Sequence, residues 1–308
     1  MSASPRTLAV TFAGGGNRAF YQVGFLERWW PALEPRIGAI SACSAGASVI
    51  VSWLSGRRDA THQYWLRRRA AVTRNFQWER LLVGKRPTPH TPIYRDTMRF
   101  ALADGGFERI KALPFPLLIL TASPPPVPVP LAVLVGIGAY SLERKLNRGK
   151  LHPGAARRLG FRPVALDARQ CRTPEELAEL ILASSATPPF TPVGRIAGRP
   201  VLDGGLVDNA PAFLAESVPG VERTLVLLTR PYPRDSLGWK GSRLYLAPSG
   251  TLPISRWDYT SLERVEATLA MGRREAEVLE NIVTSFMDPS AASSQQPTAS
   301  SQQPIATS

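Results

Sequence analysis

Three separate segments of the sequence carry residue types that could act together in a reaction. Residues 12–20 (FAGGGNRAF) place three glycines after an apolar run, Ser44 lies in ACSAG, and Asp203 begins an Asp-Gly-Gly sequence. A glycine loop can gather main-chain N–H groups around an anion, a serine can be a nucleophile, and a carboxylate can accept the serine proton. Each segment taken alone also has an ordinary structural explanation.

The glycine loop fits two kinds of anion. Gly14, Gly16 and Ala19 satisfy the dinucleotide-binding pattern G-x-G-x-x-G/A between a predicted strand and a predicted helix. That pattern also requires an acidic residue about 20 positions later, at the end of a second strand. Glu34 has this spacing but lies in the proline-flanked PALEPRI. A reaction oxyanion would be held by the same N–H groups as well as a phosphate.

Ser44 lies between a short apolar segment and a predicted helix, as a nucleophile does on a sharp strand-to-helix turn. The usual pattern is G-x-S-x-G, whereas this chain has Ala42-Cys43-Ser44-Ala45-Gly46. Small residues are needed there because the turn brings backbone atoms close together, and alanine in place of the first glycine adds only one methyl group. The alternative is that Ser44 is a helix N-cap.

Chain order favours an aspartate over a histidine as the base for this serine. The three histidines, His62, His90 and His152, all precede Asp203, so the order Ser, Asp, His cannot be completed with it. Their polar or proline-rich surroundings predict surface positions. Asp203 is the best acidic candidate, although Asp-Gly is also a hairpin-turn signal.

The elements that would position these residues follow from hydrophobic patterning. Short apolar segments predict strands at 7–12, 37–41, 115–123 and 224–230. Helical spacing predicts helices at 19–30, 45–55, 174–185 and about 260–283. Two successive strand–helix units indicate an α/β fold with a parallel sheet.

Two segments stand apart from this pattern. Residues 124–163 begin apolar and become strongly basic, which predicts an insertion: a core-packing helix, a lid or a membrane-contacting surface. Its apolar run, 131–140, is shorter than the roughly 20 residues of a spanning helix. The tail 288–308 repeats ASSQQP and predicts disorder, which leaves a single domain over 1–287.

Composition limits the environment and the partners. The net charge of +13 predicts attraction to polyanions such as an anionic membrane. No nucleic-acid-binding motif is recognisable, so nucleic acid is not expected. Cys43 and Cys171 are the only cysteines, which excludes a disulfide framework and a zinc cluster and predicts no metal. The N-terminal segment lacks the pattern of a signal peptide, which predicts a cytoplasmic protein.

The combined segments resemble the patatin-like phospholipase family, which are lipid acyl hydrolases with a Ser-Asp dyad. The resemblance rests on four segments in the family's order: GGGNR (14–18), CSAG (43–46), ASSATPPFTPV (183–193) and DGGLVDNAP (203–211). It implies an α/β three-layer sandwich with a mostly parallel central sheet. It also implies a phospholipase A or esterase activity without a cofactor. Together with the positive charge, this predicts a cytoplasmic protein in peripheral contact with the inner membrane face.

The same resemblance assigns roles to individual residues. Ser44 would be the nucleophile and Asp203 the base. The other implied site residues are Gly14, Gly15, Gly16 and Arg18 of the oxyanion hole, Ala42, Cys43, Ala45 and Gly46 of the serine turn, and Gly204 and Gly205 of the Asp-Gly-Gly segment. The alternatives are an inactive module that binds anionic lipid or an acidic partner, and a nicotinamide- or flavin-binding protein.

Overall fold

The computed structural model describes residues 5–147 and 149–288, and within them the chain forms one mixed sheet with helices on both faces. The strands are β1 (Leu8–Phe12), β2 (Ile37–Cys43), β3 (Leu117–Ser123), β4 (Arg162–Asp167), β5 (Gly194–Ile196), β6 (Arg199–Asp203), β7 (Arg223–Leu227), β8 (Gly238–Lys240) and β9 (Arg243–Leu246). The predicted disordered tail lies outside the described residues except for Asp288.

The helices alternate with the strands over most of the chain. They are α1 (Phe20–Leu33), α2 (Ala45–Leu54), α3 (Arg58–Arg69), α4 (His90–Leu102), α5 (Gly106–Lys111), α6 (Val129–Leu146), α7 (Ala155–Arg158), α8 (Pro174–Ser184), α9 (Ala212–Glu216), α10 (Leu262–Val278) and α11 (Glu280–Met287). None of these described helices combines the length and the apolar composition that crossing a membrane requires.

The sheet has a parallel centre and antiparallel edges. Strands β3, β2, β1, β7 and β9 are adjacent and parallel. The strands β4, β5, β6 and β8 pair antiparallel with their neighbours. The predicted mostly parallel sheet is therefore confirmed, and the four central strands anticipated from the sequence all belong to its parallel part.

Successive side chains on the central strands point to opposite faces of the sheet, and each set packs into a separate layer. On β1, Leu8, Val10 and Phe12 join the main core, which includes residues of α1, α2, α4 and α8. Ala9 points to the other face and packs with Ala215 of α9. Because helices cover both faces of the sheet, the predicted three-layer sandwich is confirmed.

The structure refines several predicted elements. The final predicted helix is two helices, α10 and α11, and the chain between α2 and β3 forms three helices that the sequence reading left unassigned. The predicted insertion contains α6 and α7. On α6, Ala132 and Gly136 are buried, and a methyl group at Gly136 would meet the ring of Phe161. Most of the apolar surface of this helix is exposed.

Helices α1 and α10 approach each other closely enough for their backbones to touch. A Cβ atom on Gly24 would lie 2.2 Å from the carbonyl oxygen of Leu269, and one on Gly272 would lie 2.3 Å from that of Tyr21. Neither obstacle is a flexible side chain, so the helices would have to separate to accept any larger residue.

We therefore expect Gly24→Ala to lower the free energy of unfolding by about 1–3 kcal/mol, because it overpacks this contact. Chemical denaturation measures the change. Gly138→Ala on α6 is the matched control, since nothing lies within 4 Å of the position, and it should be neutral or stabilising by roughly 0.5–1 kcal/mol. Equal stability of the two variants would contradict the predicted contact.

Candidate active site

Ser44 occupies a strained turn between β2 and α2. Its φ of 53° and ψ of −129° are uncommon for a residue with a side chain. The Ser44 N–H donates to Ser184 Oγ at 2.8 Å, and Ser184 Oγ donates to the carbonyl oxygen of Leu120 at 2.6 Å. A side chain from α8 therefore holds the backbone of the turn.

The residues around Ser44 explain the pattern of small side chains. A Cβ on Gly46 would lie 2.5 Å from the carbonyl oxygen of Phe12, so only glycine fits there. Ala42 is buried in β2 in register with Phe12, and its methyl group joins the main core. Ala45 lines the cavity described below. Burial and the neighbouring Asp203 raise the pKa of the Cys43 thiol, which keeps it protonated and unreactive.

Asp203 reaches Ser44 because of strand register. Strand β4 pairs along β3 from Leu118 to Ser123, so β2 and β6 share the opposite edge of β3. Cys43 is in register with Leu120, and Asp203 with Thr121. The carboxyl-terminal ends of β2 and β6 therefore meet.

The contact that results joins Ser44 Oγ to Asp203 Oδ2 at 2.9 Å. The other carboxylate oxygen accepts the N–H of Gly205 at 2.7 Å. Burial raises the pKa of Asp203, and the opposing influences are the hydrogen bonds from Gly205 and Ser44 and the positive charge of Arg256. The carboxylate is therefore a stronger base than an exposed aspartate while remaining hydrogen-bonded in its charged form.

The Asp-Gly-Gly segment forms a 3-10 turn, Gly204–Leu206, rather than the hairpin turn that Asp-Gly alone could indicate. A Cβ on Gly204 would lie 2.4 Å from the carbonyl oxygen of Leu120, so the turn can pack against β3 only with glycine. A Cβ on Gly205 would lie 3.0 Å from Asp203 Oδ1. Both glycines thus let the backbone approach the carboxylate closely.

The glycine loop runs from the end of β1 past Ser44. A Cβ on Gly14 would lie 3.0 Å from Ser44 Cβ, and one on Gly15 would lie 2.3 Å from Thr229 Oγ1. Gly16 has a φ of +57°, and its Cβ would meet the carbonyl oxygen of Arg256 at 2.3 Å. At each of the three positions, a side chain would therefore clash with a different neighbouring residue, so glycine is needed.

The structure narrows the set of oxyanion donors predicted in this loop. The Gly14 N–H donates to the carbonyl oxygen of Asn209 at 3.0 Å, so it is engaged within the protein. The amides of Gly15 and Gly16 make no such bond within the described part of the chain, and both residues line the cavity. Gly14 fixes the loop, and Gly15 and Gly16 have the available donors.

Arg18 is also directed to this loop. Its Nε donates to the carbonyl oxygen of Gly15 at 3.1 Å, and its side chain lines the cavity. This bond holds the Gly15 carbonyl group in position.

The dinucleotide interpretation of the loop receives no support from Glu34. This residue begins a 3-10 turn before β2, whereas a ribose-binding acid would follow the second strand. Asp203 and Ser44 occupy the space beside the loop instead.

The prediction that all three histidines lie on the surface is wrong. His90 is buried among Tyr94, Trp257 and Tyr259, and burial lowers its pKa to about 4. His152 is partly buried and bridges Asp208 and Tyr245. His62 is partly buried and pairs with Glu266 at 3.4 Å. Aromatic and acidic groups distant in sequence surround these rings, so local polarity gave no indication of their burial.

A cavity of about 860 Å³ opens in front of Ser44. Ser44, Asp203 and the glycine loop are part of its wall. Much of the remaining wall is apolar or aromatic, with contributions from Phe20, Val23, Val49, Trp65, Met98, Ile137, Phe190 and Trp257. The cavity can hold an apolar chain beside the Ser44 hydroxyl.

The sequence reading missed the residues that hold this site together. Thr229 Oγ1 and Asn209 Nδ2 donate to the carbonyl oxygen of Gly14 at 2.6 and 3.1 Å. Gln22 Nε2, fully buried on α1, donates to the carbonyl oxygens of Ala13 and Leu227. A buried polar side chain needs hydrogen-bond partners. The polar Gln22 within the apolar pattern of α1 was therefore the sequence feature that could have indicated such a contact.

The chain was compared with solved structures, with curated proteins and with models of protein families. Several solved structures match, and two of them are described here with their low identities. VipD from Legionella pneumophila has a TM-score of 0.46 and 14% identity over 91% of this chain and 68% of that chain. Human GIVD cytosolic phospholipase A2 has a TM-score of 0.45 and 11% identity over 93% of this chain and 63% of that chain. No curated protein matches the sequence.

A family model matches more than half of the sequence. The model of patatin-like phospholipases covers residues 10–216 of the 308, a region that includes the glycine loop, Ser44 and Asp203. The resemblance expected from the four sequence segments is thereby confirmed, and the chain belongs to the patatin-like phospholipase family.

Proposed function

We propose that this protein is a carboxylic ester hydrolase that cleaves acyl esters of lipids, of the phospholipase A or esterase type. The observation that carries the proposal is the 2.9 Å hydrogen bond between Ser44 Oγ and Asp203 Oδ2 in the wall of a largely apolar cavity. Membership of the patatin-like phospholipase family supports lipid acyl hydrolysis in general. The dyad and the oxyanion donors are our assignments.

In the first step, Ser44 Oγ attacks the ester carbonyl carbon while its proton passes to Asp203 Oδ2. The carbonyl oxygen becomes negative and accepts hydrogen bonds from the amides of Gly15 and Gly16. When the carbon–oxygen bond to the alcohol breaks, Asp203 returns the proton to the leaving oxygen. The acyl group is then attached to Ser44.

In the second step, water attacks the acyl-enzyme carbonyl carbon and gives a proton to Asp203. The same loop amides stabilise the second oxyanion, because its position relative to Ser44 is unchanged. Cleavage of the bond to Ser44 Oγ releases the fatty acid, and the proton on Asp203 returns to the serine.

We also propose peripheral contact with an anionic membrane. The segment Trp78–Val83 exposes Trp78, Leu81, Leu82 and Val83, and Trp78 packs on Phe190 of the cavity wall. Helix α6 exposes Leu131, Leu134 and Leu142 and contributes Ile137 and Tyr140 to the same cavity. Two exposed apolar segments therefore adjoin the cavity, in a protein with a net charge of +13.

The dyad is tested by Ser44→Ala and Asp203→Asn, each expected to lower kcat on a chromogenic acyl ester and on mixed phospholipids by more than about 10³-fold. Ser48→Ala is the matched control, because Ser48 lines the same cavity but donates to the carbonyl oxygen of Ala45. Labelling by a fluorophosphonate separates this proposal from an inactive lipid-binding module, which would leave the serine unlabelled. Hydrolysis by Ser44→Ala at the wild-type rate would remove the assignment.

The role of Asp203 as base predicts the pH dependence of kcat/KM. Activity requires the carboxylate, and burial raises the pKa of Asp203. We therefore expect the activity on a neutral ester to decrease at low pH. The midpoint of this decrease should lie above the pKa of an ordinary aspartate. Arg256→Gln removes a positive charge that lowers this pKa, so the acid limb should move to still higher pH. Arg172→Gln, on the exposed surface, should leave the limb in place, and an Arg256→Gln limb at lower pH would contradict the role.

Membrane contact is tested by Leu82→Asp and Leu134→Asp. Each removes an exposed leucine whose burial in lipid is worth about 1.5–3 kcal/mol, so association with vesicles containing phosphatidylglycerol should weaken roughly tenfold or more. Val278→Asp is the control, since Val278 is 83% exposed but lies outside both segments. Flotation assays measure the fraction of protein bound to vesicles. Equal association of all three variants would reject the proposal that these two segments contact the membrane.

A further inference from the structure

Two hydrogen bonds join the glycine loop to the segment that follows Asp203. The Gly14 N–H donates to the carbonyl oxygen of Asn209 at 3.0 Å, and Asn209 Nδ2 donates to the carbonyl oxygen of Gly14 at 3.1 Å. Gly15 and Gly16, whose amides are the proposed oxyanion donors, follow Gly14 directly. The position of these donors therefore depends on where Asn209 is held.

The residue before Asn209 carries a buried charge. Asp208 is only 5% exposed, and its backbone N–H donates to the carbonyl oxygen of Gly204 at 2.9 Å. Its Oδ1 accepts the N–H of Ala210 at 3.0 Å, so the bonds of this one residue hold the backbone on both sides of Asn209. A buried carboxylate with a single N–H partner still has free acceptor positions, and burial is costly unless further donors fill them.

His152 supplies such a donor from a distant segment of the chain. It lies between α6 and α7 in the insertion, and its Nδ1 is 2.9 Å from Asp208 Oδ1 and 3.0 Å from Oδ2. Arg157 on α7 stays 4.0 Å from Asp208 Oδ2 and donates from Nε to the carbonyl oxygen of Val207. Among the described residues, His152 thus makes the only side-chain hydrogen bond to this carboxylate.

The other ring nitrogen of His152 fixes the location of its proton. Nε2 lies 2.7 Å from Tyr245 Oη on β9, and Arg243 Nη1 lies 3.0 Å from the same hydroxyl and 3.5 Å from Nε2. Glu216 binds Arg243 at 2.5 and 2.6 Å and holds the guanidinium there. A guanidinium can only donate, so Nε2 serves as an acceptor and the ring proton lies on Nδ1, where it points to Asp208.

We propose that His152 is a positioning residue for the oxyanion donors: its Nδ1–H holds Asp208, and the backbone that follows holds Gly14. The inference rests on the proposed function. His152 acts from a distance, since the described lining of the cavity contains its neighbours Leu151 and Pro153 but not His152 itself. The oxyanion forms only during the reaction, so displaced loop amides should lower kcat more than they raise KM.

The test distinguishes the two ring nitrogens by substitution. In His152→Asn the amide nitrogen can take the place of Nδ1, whereas in His152→Gln it extends toward the position of Nε2. We expect His152→Gln to lower kcat on a chromogenic acyl ester by about 10- to 100-fold and to change KM by less than about threefold. His152→Asn should restore kcat to within about threefold of the wild-type value.

The expected loss in His152→Gln is smaller than the roughly 10²- to 10³-fold effect of removing an oxyanion donor outright. The reason is that Thr229 Oγ1 still donates to the carbonyl oxygen of Gly14 and retains part of the loop geometry. Tyr245→Phe is the matched control, because it removes the hydroxyl beside Nε2 and leaves the contact between His152 and Asp208 intact. It should keep kcat within about threefold of wild type.

Thermal unfolding checks the fold of each variant, and His152→Ala replaces His152→Gln if the latter does not fold. A folded His152→Gln variant with the wild-type kcat would overturn the positioning role and leave the proposed function intact. Equal losses of kcat in His152→Asn, His152→Gln and Tyr245→Phe would also overturn it, because the network would then only stabilise the fold. Absence of hydrolysis by the wild-type protein would reject the proposed function and this inference with it.

Discussion

The shared edge of β3 is the constraint on which the candidate site depends. Strand β2 runs parallel to β3 and stops at Cys43, and β6 pairs antiparallel with the same edge immediately beyond it. Two strands of opposite direction thus end face to face, one followed by Ser44 and the other closed by Asp203. A shift in register of two residues would separate the hydroxyl and the carboxylate by about 7 Å along the strand.

Close backbone contacts hold the ends of β2 and β6 in place. Gly46 packs on Phe12, Gly204 packs on Leu120, and Ser184 bonds both the Ser44 amide and the Leu120 carbonyl. The positive φ of Ser44 costs free energy, and these contacts keep the residue in that conformation. The strain directs the hydroxyl to the cavity, where an apolar chain can lie beside it.

Charge is distributed unevenly around the cavity. The proposed base is Asp203, whose pKa is raised by burial and lowered by the positive charge of Arg256. Loss of the Arg256 charge would therefore make the carboxylate a stronger base.

The sequence by itself determined the central strands, the helices that follow them, and the residue types at Ser44, Asp203 and the glycine loop. These features follow from local patterning and from turns that only small residues can form. Tertiary structure decided which loop amides remain available, because the carbonyl oxygen of Asn209, 195 positions away, accepts the Gly14 N–H. It also decided the burial of His90, because the aromatic residues Trp257 and Tyr259 that cover this ring come from a distant segment of the chain.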